Sequence, residues 1–446
     1  EYGPIGNKIR LNIIDFWRKV LVNKNNFLEI SGSMILPKSV FEASGHLKKF
    51  DDPIATCKKC KQVFKLDKLL SDITNKEVHE NLTIEDYEKI IKENNITCPL
   101  CKNPLEKITR FNLMAPINIG ATEGAVAYLR GETCQSIFID FLRIYKTSRR
   151  SLPIGICQHG KVYRNEISPR NGLLRCREFE QLECELFFNP KNIDDVDLSN
   201  ILNNKIRFKL LKDDTEKEYS VEEIIKQKIV CGKLLTYYLN ILQQFLLDLG
   251  FSLENIRFRE TSDEEKAFYS KQTFDLEILS EKSWIELFSF NYRTDYDLSS
   301  HSKGSKKDLS ISEDGEQFVP HVLEVASIGL DRLFYLILEN SFNIKEVNQE
   351  QRNVLSLKPK LSPYFVGVLP LVKKDGLLEK SQEVYEDLKK LPFEVFFDEK
   401  GSIGKRYARL DEIGCNYCVT IDHQTLEDET VTIRDRDTFE QQRVSL

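Results

Sequence analysis

Between Gly155 and Phe188 the chain reads GICQHGKVYRNEISPRNGLLRCREFEQLECELFF. Within it stand Arg164 and Glu166, then Arg175, Phe179 and Glu183, each at even spacing from the one before within its half. On extended chain, even spacing keeps side chains on one face. A face with two guanidiniums, two carboxylates and a ring suits a nucleotide beside an amine: guanidinium for phosphate, ring for base, carboxylate for the amine. β-branched and aromatic residues flank a polar centre, Ser168-Pro169-Arg170-Asn171-Gly172, which predicts two strands joined by a turn. A merely solvated amphipathic hairpin accounts for the charges but not for Phe179 among them.

A second chemistry lies upstream. Cys57-Lys-Lys-Cys60 and Cys98-Pro-Leu-Cys101 are two CxxC pairs, and each two-residue gap sets two thiolates on one turn. Four such thiolates fit a structural Zn²⁺, with no open position for catalysis. Reduced, unliganded cysteines are the other reading. The segment between them, KEVHENLTIEDYEKIIKENN, is expected to form a charged helix. A third pair, Cys415 and Cys418, has no partner pair nearby and reads as a coincidence within a strand.

Arg-x-Glu followed by Arg-x-x-x-Phe-x-x-x-acid closely resembles motif 2 of the class II aminoacyl-tRNA synthetases, and RNEISPRNGLLRCREF is similar to the dimeric glycyl type. HVLEVASIGLDRLFYLIL (321–338) resembles motif 3, and the helix–strand–proline run over 7–37 resembles motif 1, the family's dimer interface. The resemblance implies ATP with Mg²⁺ as substrate, glycine and tRNA-Gly as partners, and a homodimer. It assigns Arg164, Glu166 and Arg332 to catalysis. ATP would be held by Arg164, Asn165, Glu166, Leu174, Arg175, Arg177, Phe179, Glu286, Leu287, Gly329 and Arg332, with Glu286 on Mg²⁺. Glycine would meet Glu132, Phe179, Glu183, Glu185, Glu324 and Ser327. Arg130-Gly131-Glu132-Thr133 stands where the family has Arg-Pro-Glu-Thr. Glu324 and Ser327 are three apart where the family has two, so a regular strand would put them on opposite faces unless a bulge absorbs one residue. Another class IIa synthetase shares the three motifs, and a non-catalytic relative shares the architecture, so both stay open at this point.

The elements needed to position these groups follow from the patterning. The fold class expected is α/β, with an α+β catalytic domain: a class II antiparallel sheet flanked by helices, a zinc-module insertion, and a C-terminal mixed-sheet α/β anticodon-binding domain. The expected boundaries are catalytic core over 1–56, zinc insertion over 57–101, core with motif 2 over 102–190, a polar insertion over 191–235, core with motif 3 over 236–355, and the anticodon-binding domain over 360–446. GSIGKRYARLDEIG (401–414) is the basic segment of the last domain expected to touch RNA.

At 446 residues, 41% hydrophobic and 30% charged, the chain can bury several cores. A net charge of −6 excludes a uniformly basic surface, so RNA must be met by local patches of the 64 Lys and Arg. No run of eighteen apolar residues predicts a membrane span, and the first residues lack the apolar core of a signal peptide, so a cytoplasmic setting is expected, in which clustered cysteines favour metal over disulfides. Terminal residues are expected to be missing, since the chain starts at Glu1 and stops abruptly.

Overall fold

The computed structural model describes all residues except Glu77, Thr122, Glu123, Ser168, Arg170, Asn171, Lys282, Asn348 and Gln349. Most of the expected Ser-Pro-Arg-Asn-Gly turn therefore lies outside the described residues. The chain divides into two units: residues 21–244 with 253–333, and residues 1–20 with 245–252 and 334–446.

The first unit is built on one nine-stranded sheet. Its strands are β1 (Leu28–Ile30), β2 (Ile154–Tyr163), β3 (Glu178–Phe188), β4 (Lys205–Lys209), β5 (Lys217–Ser220), β6 (Ile256–Glu260), β7 (Gln272–Leu279), β8 (Trp284–Thr294) and β9 (His321–Gly329). Their spatial order is β1-β2-β3-β9-β8-β7-β6-β4-β5, antiparallel except for β1 with β2 and β4 with β6. The period-two patterning explains the sheet. Phe258 on β6, Phe274 and Leu276 on β7, and Phe288 and Phe290 on β8 bury one face. The alternate positions Arg257, Arg259, Thr273, Asp275, Ser289 and Asn291 are polar, so the other face is a polar floor. The helix Cys134–Ser148 packs by Phe138 and Phe141 against β3, where Phe141 stacks on Phe187 with centroids 4.2 Å apart.

Residues 191–235, expected to be a polar insertion, supply β4 and β5 at the sheet's edge. The signal was the short alternation Ile206, Phe208, Leu210, all buried, inside a charged stretch.

The CxxC pairs sit in a small module of their own. Strands Asp51–Cys57, Val63–Lys65 and Leu105–Asn112 form an antiparallel sheet, covered by helices Leu66–Thr74 and Ile84–Glu93. The expected charged helix is thus shorter than predicted and begins at Thr83, whose hydroxyl and Asp86 form a capping box. The module's core is Ala55, Leu66, Leu70, Tyr87 and Ile96.

The second unit contains a five-stranded mixed sheet ordered Val395–Phe397, Val366–Pro370, Tyr417–Ile421, Thr430–Asp435, Gln441–Ser445. The first three strands are parallel, as strand–helix alternation predicts. Cys415 and Cys418 are buried there in an apolar cluster with Leu369, Tyr407 and Leu410. The expected RNA-touching segment is a helix, Ile403–Glu412, and most of its basic side chains are committed elsewhere. Arg406 is buried and donates to the Pro370, Leu371 and Asp398 carbonyls, and Arg409 pairs with Asp398. Lys405 remains exposed.

Candidate active site

Bulges decide which side chains reach the polar floor. Between β9 and β3 the register shifts after Glu324, so that Glu324 opposes Glu185 and Ala326 opposes Cys184. Val325 is the extra residue, and Glu324 and Ser327 return to one face despite their odd spacing. A second bulge does the same on β8, where Glu286 opposes Glu277 and Phe288 opposes Leu276. Leu287 is skipped, and Glu286 joins Ser289 and Asn291.

A cleft of about 1110 Å³ opens over this floor. Of the residues singled out from sequence, Glu132, Arg164, Glu166, Leu174, Arg175, Phe179, Glu286, Leu287, Glu324, Ser327, Gly329 and Arg332 line it. Asn165, Arg177, Glu183 and Glu185 do not. Asn165 is exposed, and Arg177 donates from Nε to the Glu166 carbonyl at 3.1 Å, holding the loop backbone instead. Arg164 and Glu166 lie just past the end of β2, and Arg175 just before β3. Strand parity therefore does not align them as the even spacing implied. The loop does, through hydrogen bonds of the Arg164 N–H to the Arg177 carbonyl (2.9 Å) and the Asn165 N–H to the Leu113 carbonyl (2.8 Å).

Arg164 occupies the centre. Its guanidinium carbon is 5.3 Å from the Phe179 ring centroid and 5.1 Å from that of Phe50. Nη2 is 3.6 Å from Glu132 Oε1, and Nε donates to the Gly131 carbonyl at 3.1 Å. Glu166, 8% exposed, receives Arg175 at 2.6 Å, and Arg175 also approaches Asp52 at 3.4 Å. Arg332, in the first turn of the helix Leu330–Ser341, donates to the Glu286 carbonyl. Beside it Asp331 accepts the Glu180 N–H at 2.8 Å.

Carboxylates gather at one end. Burial opposes ionisation of Glu132, but its hydrogen bond to His46 (3.2 Å) and the charges of His46 and Arg164 outweigh that and hold it well below the usual carboxylate range. Glu324 is pushed up by burial, although Arg293 (2.7 Å) and Asn291 (3.0 Å) bond it. Glu183 is raised well above its usual value by burial, then by Glu324 and Glu132. It accepts from Thr133 Oγ1 at 2.9 Å and Ser327 Oγ at 3.3 Å, so it braces the wall rather than forming it. Glu185 is fully buried with neither carboxylate oxygen bonded, and burial raises it well above its usual value. Neither of these expected glycine ligands lines the cleft: both share the correct face of β3, but face does not fix depth. At the other end Glu286 is raised by burial and then by Asp275, which itself bonds Arg259 at 2.5 Å and Ser289 Oγ at 2.6 Å.

In the cysteine module all four sulfurs lie within 4.8 Å of one another, with Cys57–Cys101 at 3.3 Å and Cys60–Cys98 at 3.7 Å. A tetrahedral ion with bonds of about 2.3 Å sets its sulfurs about 3.8 Å apart. The two knuckles repeat each other. Lys61 and Lys102 are both left-handed (φ 57° and 58°), and their N–H groups donate to the Cys57 and Cys98 carbonyls. The Cys57 and Cys98 N–H groups donate in turn to Gln62 and Asn103, each at 2.9 Å. That symmetry fits a four-thiolate metal centre.

Two family models match: the class II tRNA synthetase core domain (G, H, P, S and T) over residues 122–341, and the anticodon-binding domain over 366–446. Among curated relatives, the glycine--tRNA ligases of Pyrococcus furiosus and Methanothrix thermoacetophila are 39% and 36% identical. Each covers all of this chain, which in turn spans 92% and 90% of theirs. The chain belongs to the glycine--tRNA ligase family. Among solved structures, the RNA-binding domain of threonyl-tRNA synthetase from Cryptosporidium parvum is similar in fold, with a TM-score of 0.59 at 17% identity, covering all of this chain and 89% of that one.

For a member of this family, the sequence motifs left out several cleft residues. Gln181, Asn291, Ser289, Asp275, Arg259 and Tyr269 all line the cleft. Polar residues alternating with phenylalanines in TFDLEI and FSFNYR carried a readable signal for three of them, Asp275, Ser289 and Asn291. His46 and Phe50, which also line it, and Asp52, which lies behind Arg175, carried none, because their partners are distant in sequence. Among the described residues, no helix is long and apolar enough to cross a membrane.

Proposed function

We propose that this aminoacyl-tRNA ligase activates glycine with ATP and passes it to tRNA-Gly, with the cleft residues in the following roles. Arg164 holds the α-phosphate and the attacking carboxylate of glycine. Phe179 stacks on adenine, and Glu166 accepts from its amino group, displacing Arg175 toward the outer phosphates, where Arg332 joins it. Glu286 would hold Mg²⁺, and the ion would supply charge neutralisation on the triphosphate. The glycine carboxylate attacks the α-phosphorus, and the bond to the bridging oxygen breaks to release pyrophosphate. No general base is required because the nucleophile is already ionised. Catalysis is positioning plus stabilisation of charge at phosphorus.

Glu132 and Glu324 take the ammonium end, with Ser327 fixed by Gln181 at 2.6 Å as a further polar wall. Glu183 and Glu185 fill space behind that wall, which supports exclusion of any amino acid with a β-carbon. Steric filling rejects more strongly than an open apolar pocket can.

One observation carries this reading: a single guanidinium stands between the stacking ring of Phe179 and the ionised Glu132. That is where an α-phosphate must lie if base and ammonium occupy the two ends. Pyrophosphate exchange measured with glycine, alanine, serine, proline and threonine tests it. Exchange with glycine alone is expected; exchange with another of the five overturns the pocket assignment.

The four cysteines support structural Zn²⁺, and exposed Met34 and Ile35 within the motif 1 run support a homodimer formed there. Residues 57–101 as zinc insertion and 360–446 as anticodon-binding domain complete the division of labour, with the remainder up to residue 355 building the catalytic unit.

A further inference from the structure

One short strap touches each part of the reacting centre. Gly45, left-handed at φ 86°, starts a single turn, His46–Lys49, which feeds directly into the strand Asp51–Cys57. The strap's backbone is locked: the Phe50 N–H donates to the His46 carbonyl, Leu113 N–H to the Phe50 carbonyl at 2.9 Å, and Asn112 Nδ2 to the His46 carbonyl at 3.0 Å.

Three of its side chains face catalytic groups. His46 Nε2 lies 3.2 Å from Glu132, and Nδ1 lies 2.8 Å from Ser44 Oγ. A carboxylate only accepts, so Nε2 carries the proton. Phe50, like Phe179, lies against the Arg164 guanidinium, its ring centroid 5.1 Å from the guanidinium carbon. Its ring fits because residue 131 is glycine: a Cβ there would meet Phe50 at 3.0 Å and Met114 at 3.3 Å. Asp52, 3% exposed, splits its carboxylate between Arg175 (3.4 Å) and Lys65 (2.7 Å).

We infer that His46, Phe50 and Asp52 are positioning residues for the activation reaction, each setting a different catalytic side chain: His46 the ammonium-binding Glu132, Phe50 the α-phosphate-binding Arg164, and Asp52 the outer-phosphate-binding Arg175. The inference rests on the roles proposed above. It has a consequence a general packing role lacks: the three substitutions damage different kinetic constants. A hydrogen bond to an ionised partner is the strong kind, so losing the one from His46 is felt as weaker binding of the ammonium.

The test is steady-state pyrophosphate exchange on the full chain. His46→Leu is expected to raise KM for glycine about tenfold with KM for ATP nearly unchanged, and His46→Gln, whose amide reaches the same place, to restore most of it. Asp52→Asn is expected to raise KM for ATP several-fold and leave that for glycine alone. Phe50→Leu is expected to lower kcat about tenfold with neither KM moving much, and Phe50→Tyr to recover it. Unchanged constants, or kcat and both KM values shifting in parallel in all three variants, overturn the assignment. If the unaltered chain exchanges with an amino acid other than glycine, the substrate reading falls, and the same split measured with that amino acid still decides the strap. No exchange with any amino acid overturns both.

Discussion

Replacing Arg164 by alanine separates catalysis from folding in this cleft. The side chain is 27% exposed, and its fixed polar contacts are one hydrogen bond to the Gly131 carbonyl and a 3.6 Å approach to Glu132, beside the rings of Phe50 and Phe179. A part-exposed pair and one neutral acceptor are together worth about 1 kcal/mol. Glu132 keeps His46, and Phe50 and Phe179 keep their packing, so Tm is expected to fall by no more than about 2–4 °C. The transition state loses much more. A preorganised donor aimed at developing charge is worth about 2.7–4 kcal/mol, or roughly 10²–10³ in rate. Glycine-dependent pyrophosphate exchange is therefore expected to drop at least a hundredfold in a chain that still melts cooperatively near its original temperature. Arg164→Lys keeps the charge and loses the planar fork, and should fall between the two. Exchange within about threefold of the unaltered chain would refute the role of Arg164. So would a large drop in Tm, because the loss of rate would then report unfolding.

Glu185→Gln tests the buried acid. Its folded pKa lies well above the ordinary value because of burial, so the folded chain keeps a proton that the unfolded chain releases. Stability then falls as pH rises above about 4.3, by at most about 1.4 kcal/mol per pH unit, and glutamine removes that slope. Urea unfolding at pH 5 and pH 8 should show the variant gaining on the parent with pH; a constant gap refutes this. Arg293 bonds Asp297 at 2.7 and 2.9 Å and Glu324 at 2.7 Å with almost no exposure, so Arg293→Met should cost about 3–5 kcal/mol by leaving buried carboxylates unpaired. A loss under 1 kcal/mol in urea unfolding would count against it. Metal analysis should find one Zn²⁺ per chain, and chelation should abolish hydrogen-exchange protection over residues 51–112 while β2 and β3 stay protected. Retained protection would show that the small module core suffices without metal.

Sequence carried the identity of the cleft residues further than their arrangement. Arg164, Glu166, Arg175 and Phe179 were marked by type and spacing, yet only Phe179 owes its orientation to strand parity. The other three sit in a loop whose shape depends on Arg177 and Leu113 carbonyls, which no local pattern encodes. Glu183 and Glu185 show the complementary limit. Alternation placed them on the correct face of β3, but depth below the cleft depends on Thr133 and Ser327, from other elements. The strap residues were invisible for the same reason: His46 meets Glu132 across 86 positions, and Asp52 meets Arg175 across 123.

The odd spacings prove the most informative part of the pattern. Glu286 with Ser289 and Glu324 with Ser327 are each three apart, whereas Ser289, Asn291 and Arg293 on β8 alternate strictly. In a regular strand each pair would straddle the sheet, burying a carboxylate in the phenylalanine core at a cost no stable domain accepts. A bulge is the cheap alternative, and both pairs have one, at Leu287 and Val325. The two bulged strands are neighbours, and they carry the acids assigned to opposite ends of the substrate, the triphosphate side and the ammonium side. A sheet with unbroken register could offer its cleft only the rows its alternation allows. By spending one residue in each strand, this chain adds an acid to the floor at both ends while Phe288, Phe290 and Leu323 stay in the apolar core. An odd step between polar residues in an otherwise alternating buried strand is thus a sequence sign of a bulge, and here of the site itself.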